Sequence, residues 1–195
     1  QQFFALTFHF RNGKITKPKP MFKWMLVLTC LISFLSFSDL TPSDETVKWI
    51  PIDQVDELYA KEPRPILVDV YTSWCGWCKV MDKKTYTHPA LASYVNSHFY
   101  PVKFDAEYKG AVKFNNKQYD FDKQAECNML AVYFLEGKMQ YPTTVFLSSP
   151  GAPPAPMAGY MQPKDFERPL KYFGERANLK MSFEKFGAGF TPEWN

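Results

Sequence analysis

Acidic residues are absent from the first 38 positions, where five basic ones stand: Arg11, Lys14, Lys17, Lys19 and Lys23. The formal net charge of +3 is therefore a local feature, since the other 18 basic residues face 20 acidic ones, a balance of about −2. A chain so balanced offers no basic face for a phosphate backbone, and no nucleic-acid partner is expected. Histidine is scarce, with three in 195 residues, and cysteine nearly so, with four. That is too few cysteines for a disulfide-stapled scaffold at this length. Zinc takes four ligands, usually as two closely spaced pairs. Beyond one Cys pair, only Cys127, His88 and His98 remain after residue 38, at no such spacing, so no metal is expected. Internal repeats are missing, as is any apolar run near the roughly 20 residues of a membrane-spanning helix. The rest is ordinary: 46% apolar, 17% aromatic and 22% charged residues describe one globular domain with a real core.

The longest apolar run, Trp24 to Phe37, follows Met21 and Lys23 and ends in Ser36-Phe37-Ser38. A short basic start, an apolar stretch and small residues at the −3 and −1 positions before Asp39 read as a secretory signal peptide over Met21–Ser38. Export to the periplasm or beyond the cell is expected, or a membrane anchor where the segment is retained. Residues 1–20 precede the Met that opens this pattern and are set aside from the fold as upstream sequence. Export leaves three cysteines, of which Cys75 and Cys78 form the natural pair and Cys127 reads as a buried helix cysteine.

After a polar linker over 39–46, VKWIPI reads as a short first strand and residues 53–62 as a helix entered through Asp53. Pro65–Thr72, PILVDVYT, is a β-branched apolar run between Pro-Arg-Pro and the cysteines, the pattern of a central buried strand. Helices follow from Cys75 to about Tyr86 and from Pro89, then a strand over 100–107. Residues 108–122 are a loop or small insertion, and 123–134 an amphipathic helix. Strands are expected over 143–148 and 157–162, around a Pro-rich turn. A helix from Pro163 has Pro169 as a potential break. Residues 175–195 form an aromatic tail, with Phe183, Phe186, Phe190 and Trp194, expected to pack back on a domain of residues 47–174. This order gives an α/β domain with a mixed central sheet and helices on both faces.

Residues 72–79 read TSWCGWCK. A Cys-x-x-Cys at a strand-to-helix junction puts Cys75 at a helix N-terminus, where free N–H groups and the helix dipole favour an anion and lower the thiol pKa from ~8.5. Cys75 is then the attacking sulfur. Cys78, one turn on, can resolve the mixed disulfide, so the pair cycles between dithiol and disulfide. No bound cofactor is needed for this, because the sulfurs carry the electrons.

ILVDVYTSWCGWCK resembles the active-site stretch of the thioredoxin superfamily, in which an apolar strand carrying an Asp runs into Trp-Cys-x-x-Cys-Lys. Asp69 matches the buried Asp of that family, six residues before the first cysteine, and Trp74 and Lys79 match the residues flanking the pair. Tyr141-Pro142-Thr143-Thr144 matches the cis-proline segment, and Gly159 the glycine of the last strand. The likeness covers residues 47–174, with an insertion near 108–122. It is similar to a bacterial exported thioredoxin-like subgroup, and to the C-terminal domain of the electron carrier DsbD. The resemblance implies a thioredoxin fold. It implies that Asp69 exchanges a proton with Cys78, and that Pro142 and Trp74, with Tyr141 and Trp77, shape the surface a substrate meets. Lys103, in the strand after the active-site helix, can approach Asp69 in support. Gly76-Trp77 departs from the Gly-Pro of thioredoxins and from the His of strongly oxidising relatives. Since Trp77 brings no charge to a thiolate, the reading leans to a reducing centre.

The expected function is thiol–disulfide exchange on protein disulfides and dithiols outside the cytoplasm, by a monomer, with a membrane electron donor as a candidate further partner. The alternative is a non-catalytic thioredoxin-fold binding module whose Cys75–Cys78 disulfide is static.

Overall fold

In a computed structural model, which describes residues 45–194, the run after Pro65 becomes strand β1, Ile66–Tyr71, with its first five residues buried. Before it come a 3-10 turn, Ile52–Gln54, and helix α1, Val55–Lys61. After it come α2 (Gly76–Lys84), α3 (Pro89–His98) and β2 (Tyr100–Asp105). Two small hairpins follow, β3 (Val112–Phe114) with β4 (Lys117–Tyr119), and β5 (Phe121–Asp122) with β6 (Cys127–Asn128). The chain continues through α4 (Met129–Phe134), β7 (Thr143–Leu147), β8 (Ala155–Ala158), α5 (Pro163–Gly174), a 3-10 turn at Ala177–Leu179 and α6 (Phe183–Ala188). All described residues belong to one compact unit. The signal-peptide reading of Met21–Ser38 lies outside the described residues.

The main sheet has the order β2-β1-β7-β8, with β1 parallel to β2 and antiparallel to β7. Both faces of β1 are covered, which is why it reads as a nearly unbroken apolar run. Ile66, Val68 and Val70 enter a core shared with Val55 of α1, with Leu130 and Phe134 of α4, and with Phe114 of β3. Leu67 enters the opposite core, with Met81, Leu91, Val95, Phe166 and Leu170 from α2, α3 and α5. This is the mixed sheet with helices on both faces expected of a thioredoxin fold. Side chains alternate along a strand, so Asp69 lies on the Leu67 face, under α2. Its cross-strand partners are Lys103 and Thr144.

Four local expectations change. VKWIPI makes one bridge, Ile50 to Val102, and no strand. The Ile50 N–H bonds the Pro101 carbonyl at 2.8 Å, the Lys48 N–H goes to the Asn96 side chain at 2.8 Å, and Pro51 has no N–H to continue a ladder. The helix expected over 123–134 is only Met129–Phe134. Asp122 accepts the N–H groups of Gln124 and Ala125, Glu126 turns to φ 53°, and Asn128 caps the helix by accepting the Leu130 N–H at 3.0 Å. These local side-chain bonds compete with helix, and they put Cys127 in β6, buried but outside any helix. The last strand starts earlier than expected, at Ala155, because Pro156 is tolerated on a sheet edge. It ends before Gly159, whose φ of 102° suits glycine alone. Finally, α5 runs through Pro169 unbroken. An interior proline costs about 3 kcal/mol, and the burial of Phe166, Leu170 and Tyr172 in the same helix, at ~1.5–3 kcal/mol each, outweighs it.

Candidate active site

Strand β1 delivers the chain to Cys75, the N-cap of the nine-residue α2. Cys75 and Cys78 are joined as a disulfide, with sulfurs 1.99 Å and Cα atoms 5.3 Å apart. The Cys75 Sγ accepts the Cys78 N–H at 3.0 Å. That donor, with the positive end of α2 behind it, would stabilise a Cys75 thiolate once the pair is reduced. Both cysteines are buried, at 5% and 3% exposure, whereas the tryptophans beside them stand out at 65% and 61%.

Those tryptophans are held in place. Trp74 meets Tyr141 edge to face with centroids 5.8 Å apart, and its Nε1 donates to Glu107 Oε1 at 2.8 Å. Trp77 stacks on Tyr160 at 5.5 Å. Thr143 pairs with Val70, so Pro142, just before β7, lies at the same end of the sheet as the cysteines. The Tyr141–Pro142 peptide is cis, and the Pro142 carbonyl accepts the Gly159 N–H at 2.8 Å. Lys79 is exposed on α2 and takes no part in these contacts among the described residues.

Beneath the disulfide face, Asp69 is buried at 1% exposure. Burial pushes its carboxyl up to about 6, against the opposing pull of the Lys103 ammonium, which lies 3.6 Å from Oδ2. Lys103 also contacts Asp82 of α2. Asp69 Oδ1, Thr72 Oγ1, Tyr86 Oη and Thr144 Oγ1 are buried without a hydrogen-bond partner. Tyr86 and Asp69 nevertheless sit near enough for each to shift the other's proton affinity.

Raising a carboxyl from 3.8 to about 6 is worth about 3 kcal/mol at pH 7. The native Asp69 keeps its proton to a higher pH than the unfolded chain does. The cost is therefore absent below about pH 4 and full above about pH 6. Asp69→Asn should stabilise the fold at pH 7 by up to about 3 kcal/mol, with no gain at pH 4. Urea unfolding at the two pH values measures this, and a gain independent of pH would mean that the Asp69 charge is not its source.

Sequence reasoning picked out Cys75, Cys78, Asp69, Lys103, Trp74 and Tyr141, which meet here in these pairs. It missed Asp82, Tyr86, Glu107 and Tyr160. Asp82 had a readable signal, four residues after Cys78 and so on the same helix face; the others are long-range contacts. Among the described residues no group of three or more His, Cys, Asp or Glu is placed to hold a metal ion, and no helix is long and apolar enough to cross a membrane. Burial pushes the Cys127 thiol up, with Asp122 adding to it, which makes it a poorer nucleophile.

Among curated proteins, the chain is 30% identical over 127 residues to uncharacterized protein B0495.5 of Caenorhabditis elegans, covering 65% of this chain and 16% of that one. It is 24% identical over 87 residues to the thiol:disulfide interchange protein DsbD of Pectobacterium atrosepticum, covering 43% of this chain and 14% of that one. The chain thus spans under a fifth of the length of either relative. Among solved structures, a thioredoxin-fold protein from Helicobacter pylori superposes with a TM-score of 0.52 at 18% identity, covering 65% of this chain and 81% of that one, a likeness of fold. The family model Thioredox_DsbH, described as a protein of unknown function, DUF255, matches residues 33–173. On that match, across most of its length, the chain belongs to the Thioredox_DsbH family within the thioredoxin superfamily.

Proposed function

We propose that the protein reduces disulfides of other proteins by thiol–disulfide exchange through Cys75 and Cys78. The observation that carries this reading is the Cys75–Cys78 disulfide at the head of α2, with Cys75 Sγ receiving the Cys78 N–H. In the reduced protein, the Cys75 thiolate attacks one sulfur of a substrate disulfide and expels the other as a thiolate. Asp69 takes the Cys78 proton. The Cys78 thiolate then attacks Cys75 Sγ, which breaks the mixed disulfide, releases the second substrate thiolate and leaves Cys75–Cys78 oxidised. Two electrons have moved to the substrate, and a dithiol donor must return them. Trp74, Tyr141, Pro142 and Trp77 frame the approaching segment, while Lys103 supports Asp69. The exported setting rests on Met21–Ser38, and within it a membrane protein is the natural donor.

The reduction potential of Cys75–Cys78, equilibrated against glutathione buffers, tests this. A value near about −270 mV fits a reductase fed with electrons, and one near about −120 mV an oxidant of other chains. A pair that does not exchange leaves a static disulfide in a binding module, and the proposal fails.

A further inference from the structure

The Lys103 ammonium has more neighbours than its two carboxylates. Its Nζ lies 5.0 Å from the ring centroid of Tyr71, 5.6 Å from that of Trp49 and 6.0 Å from that of Tyr86. All three fall within the roughly 6 Å at which a ring face attracts a cation. The rings come from separate parts of the chain: Tyr71 ends β1, Tyr86 follows α2, and Trp49 precedes the Ile50–Val102 bridge. They brace one another, since Trp49 meets Tyr86 edge to face at 4.8 Å and Tyr86 meets Phe166 at 6.2 Å.

Opposing pulls act on this ammonium. The Asp69 side chain is buried and draws it inward, whereas the Asp82 side chain is 39% exposed and, with solvent, draws it outward. A lysine head is strongly hydrated and sits on a flexible stem. The ring faces of Trp49, Tyr71 and the buried Tyr86 add their attraction to that of the carboxylates and narrow the positions this head can take. We infer that Trp49 and Tyr86 are positioning residues that, with Tyr71, cage the Lys103 ammonium between Asp69 and Asp82. The segment around Trp49, outside every strand, thereby becomes part of the proton-handling machinery. The groups facing Asp69 are Lys103 from β2, Asp82 from α2 and Tyr86 beyond α2, with Tyr71 on its own strand. The inference deepens the exchange reading and rests on it for its role, because Asp69 there handles the Cys78 proton.

The test does not need exchange to occur. In the full-length disulfide-linked protein, the Asp69 carboxyl is followed by carbon NMR across pH in wild type, Trp49→Leu and Trp49→Phe. Losing one close cation raises a carboxyl's midpoint, so Trp49→Leu should move it up by about one pH unit. Trp49→Phe keeps a ring and should restore at least half of that. In wild type, the Lys103 side-chain protons should carry upfield ring-current shifts, a readout that stands even if Trp49→Leu fails to fold. An unmoved Asp69 midpoint in Trp49→Leu, even with a lowered melting temperature, or Lys103 protons at free-lysine positions, overturns the cage. Failure of exchange in wild type would sink the proposed function and leave this titration as it is.

Discussion

Cys78→Ser should halt turnover at the mixed disulfide, with the substrate covalently held on Cys75, whereas Cys75→Ser should abolish turnover and hold nothing. Both variants lose activity completely, because two-electron exchange needs both sulfurs, and the adduct tells their roles apart. Cys75 is the N-cap, where the Cys78 N–H points at its sulfur and the axis of α2 ends. That environment favours its thiolate. Cys78 sits inside the first turn and looks back at Cys75. In Cys78→Ser the first attack is intact, but the hydroxyl at 78 cannot break the new bond. Non-reducing electrophoresis and intact-mass measurement, with a disulfide-bearing peptide as substrate, read the outcome directly. An adduct on Cys75→Ser and none on Cys78→Ser would reverse the roles assigned here.

The parts of this site that were legible are those whose signal is local. TSWCGWCK carries the cysteines, the capping position and the exposed tryptophans within eight residues. Asp69 was legible as a buried carboxylate through its match to the buried Asp of the thioredoxin superfamily, on an apolar run that reads as a central strand. Lys103 was readable only as a residue of the strand after the active-site helix, and it is the parallel register of that strand that sets it opposite Asp69. The illegible parts depend on chain crossings. Glu107 and Trp74 are 33 residues apart, and the ring pairs Trp77–Tyr160 and Trp49–Tyr86 span wider gaps, with no periodicity to mark them. The 108–128 segment resisted reading for a different reason. Its order comes from single side chains acting as backbone surrogates: Asp56 accepts the N–H groups of Asn115 and Asn116, both in the left-handed region, and Asn128 donates to the Tyr108 and Gly110 carbonyls. A polar stretch with such bonds and a solvated loop look alike in sequence.

Glu167→Ala should be strongly destabilising although it lies far from the cysteines, lowering stability by about 3 kcal/mol and the melting temperature by about 6–12 °C. Glu167 lies on α5, closed to solvent by the C-terminal segment that crosses it. Its Oε2 accepts the N–H groups of both Glu193 and Trp194 at 2.8 Å, and its Oε1 pairs with Lys171 at 2.9 Å. Lys171 also binds Glu193 at 2.7 Å, and Trp194 packs edge to face on Tyr94 at 5.8 Å. Alanine would strip two tail N–H groups of a charged acceptor while Lys171 keeps Glu193, which limits the loss. Burial pushes the Glu167 carboxyl up, but Lys171 and the N–H groups of Trp194 and Glu193 outweigh it and hold it below its usual 4.5. A carboxyl lowered in the native state contributes stability above about pH 4.5 that disappears as pH falls through the native value. Glu167→Gln should therefore melt below wild type at pH 7 and approach it as the pH falls below 4.5 and the native carboxylate takes up its proton. Tryptic cleavage at Lys180 and Lys185 should accelerate in the variant, since the segment would lose a charged acceptor and lean on the Lys171–Glu193 pair and on the ring contacts of Phe183 and Phe186 with Tyr172. Were melting and cleavage both unchanged at pH 7, those ring contacts would suffice, and the carboxylate would be a passenger beneath the tail.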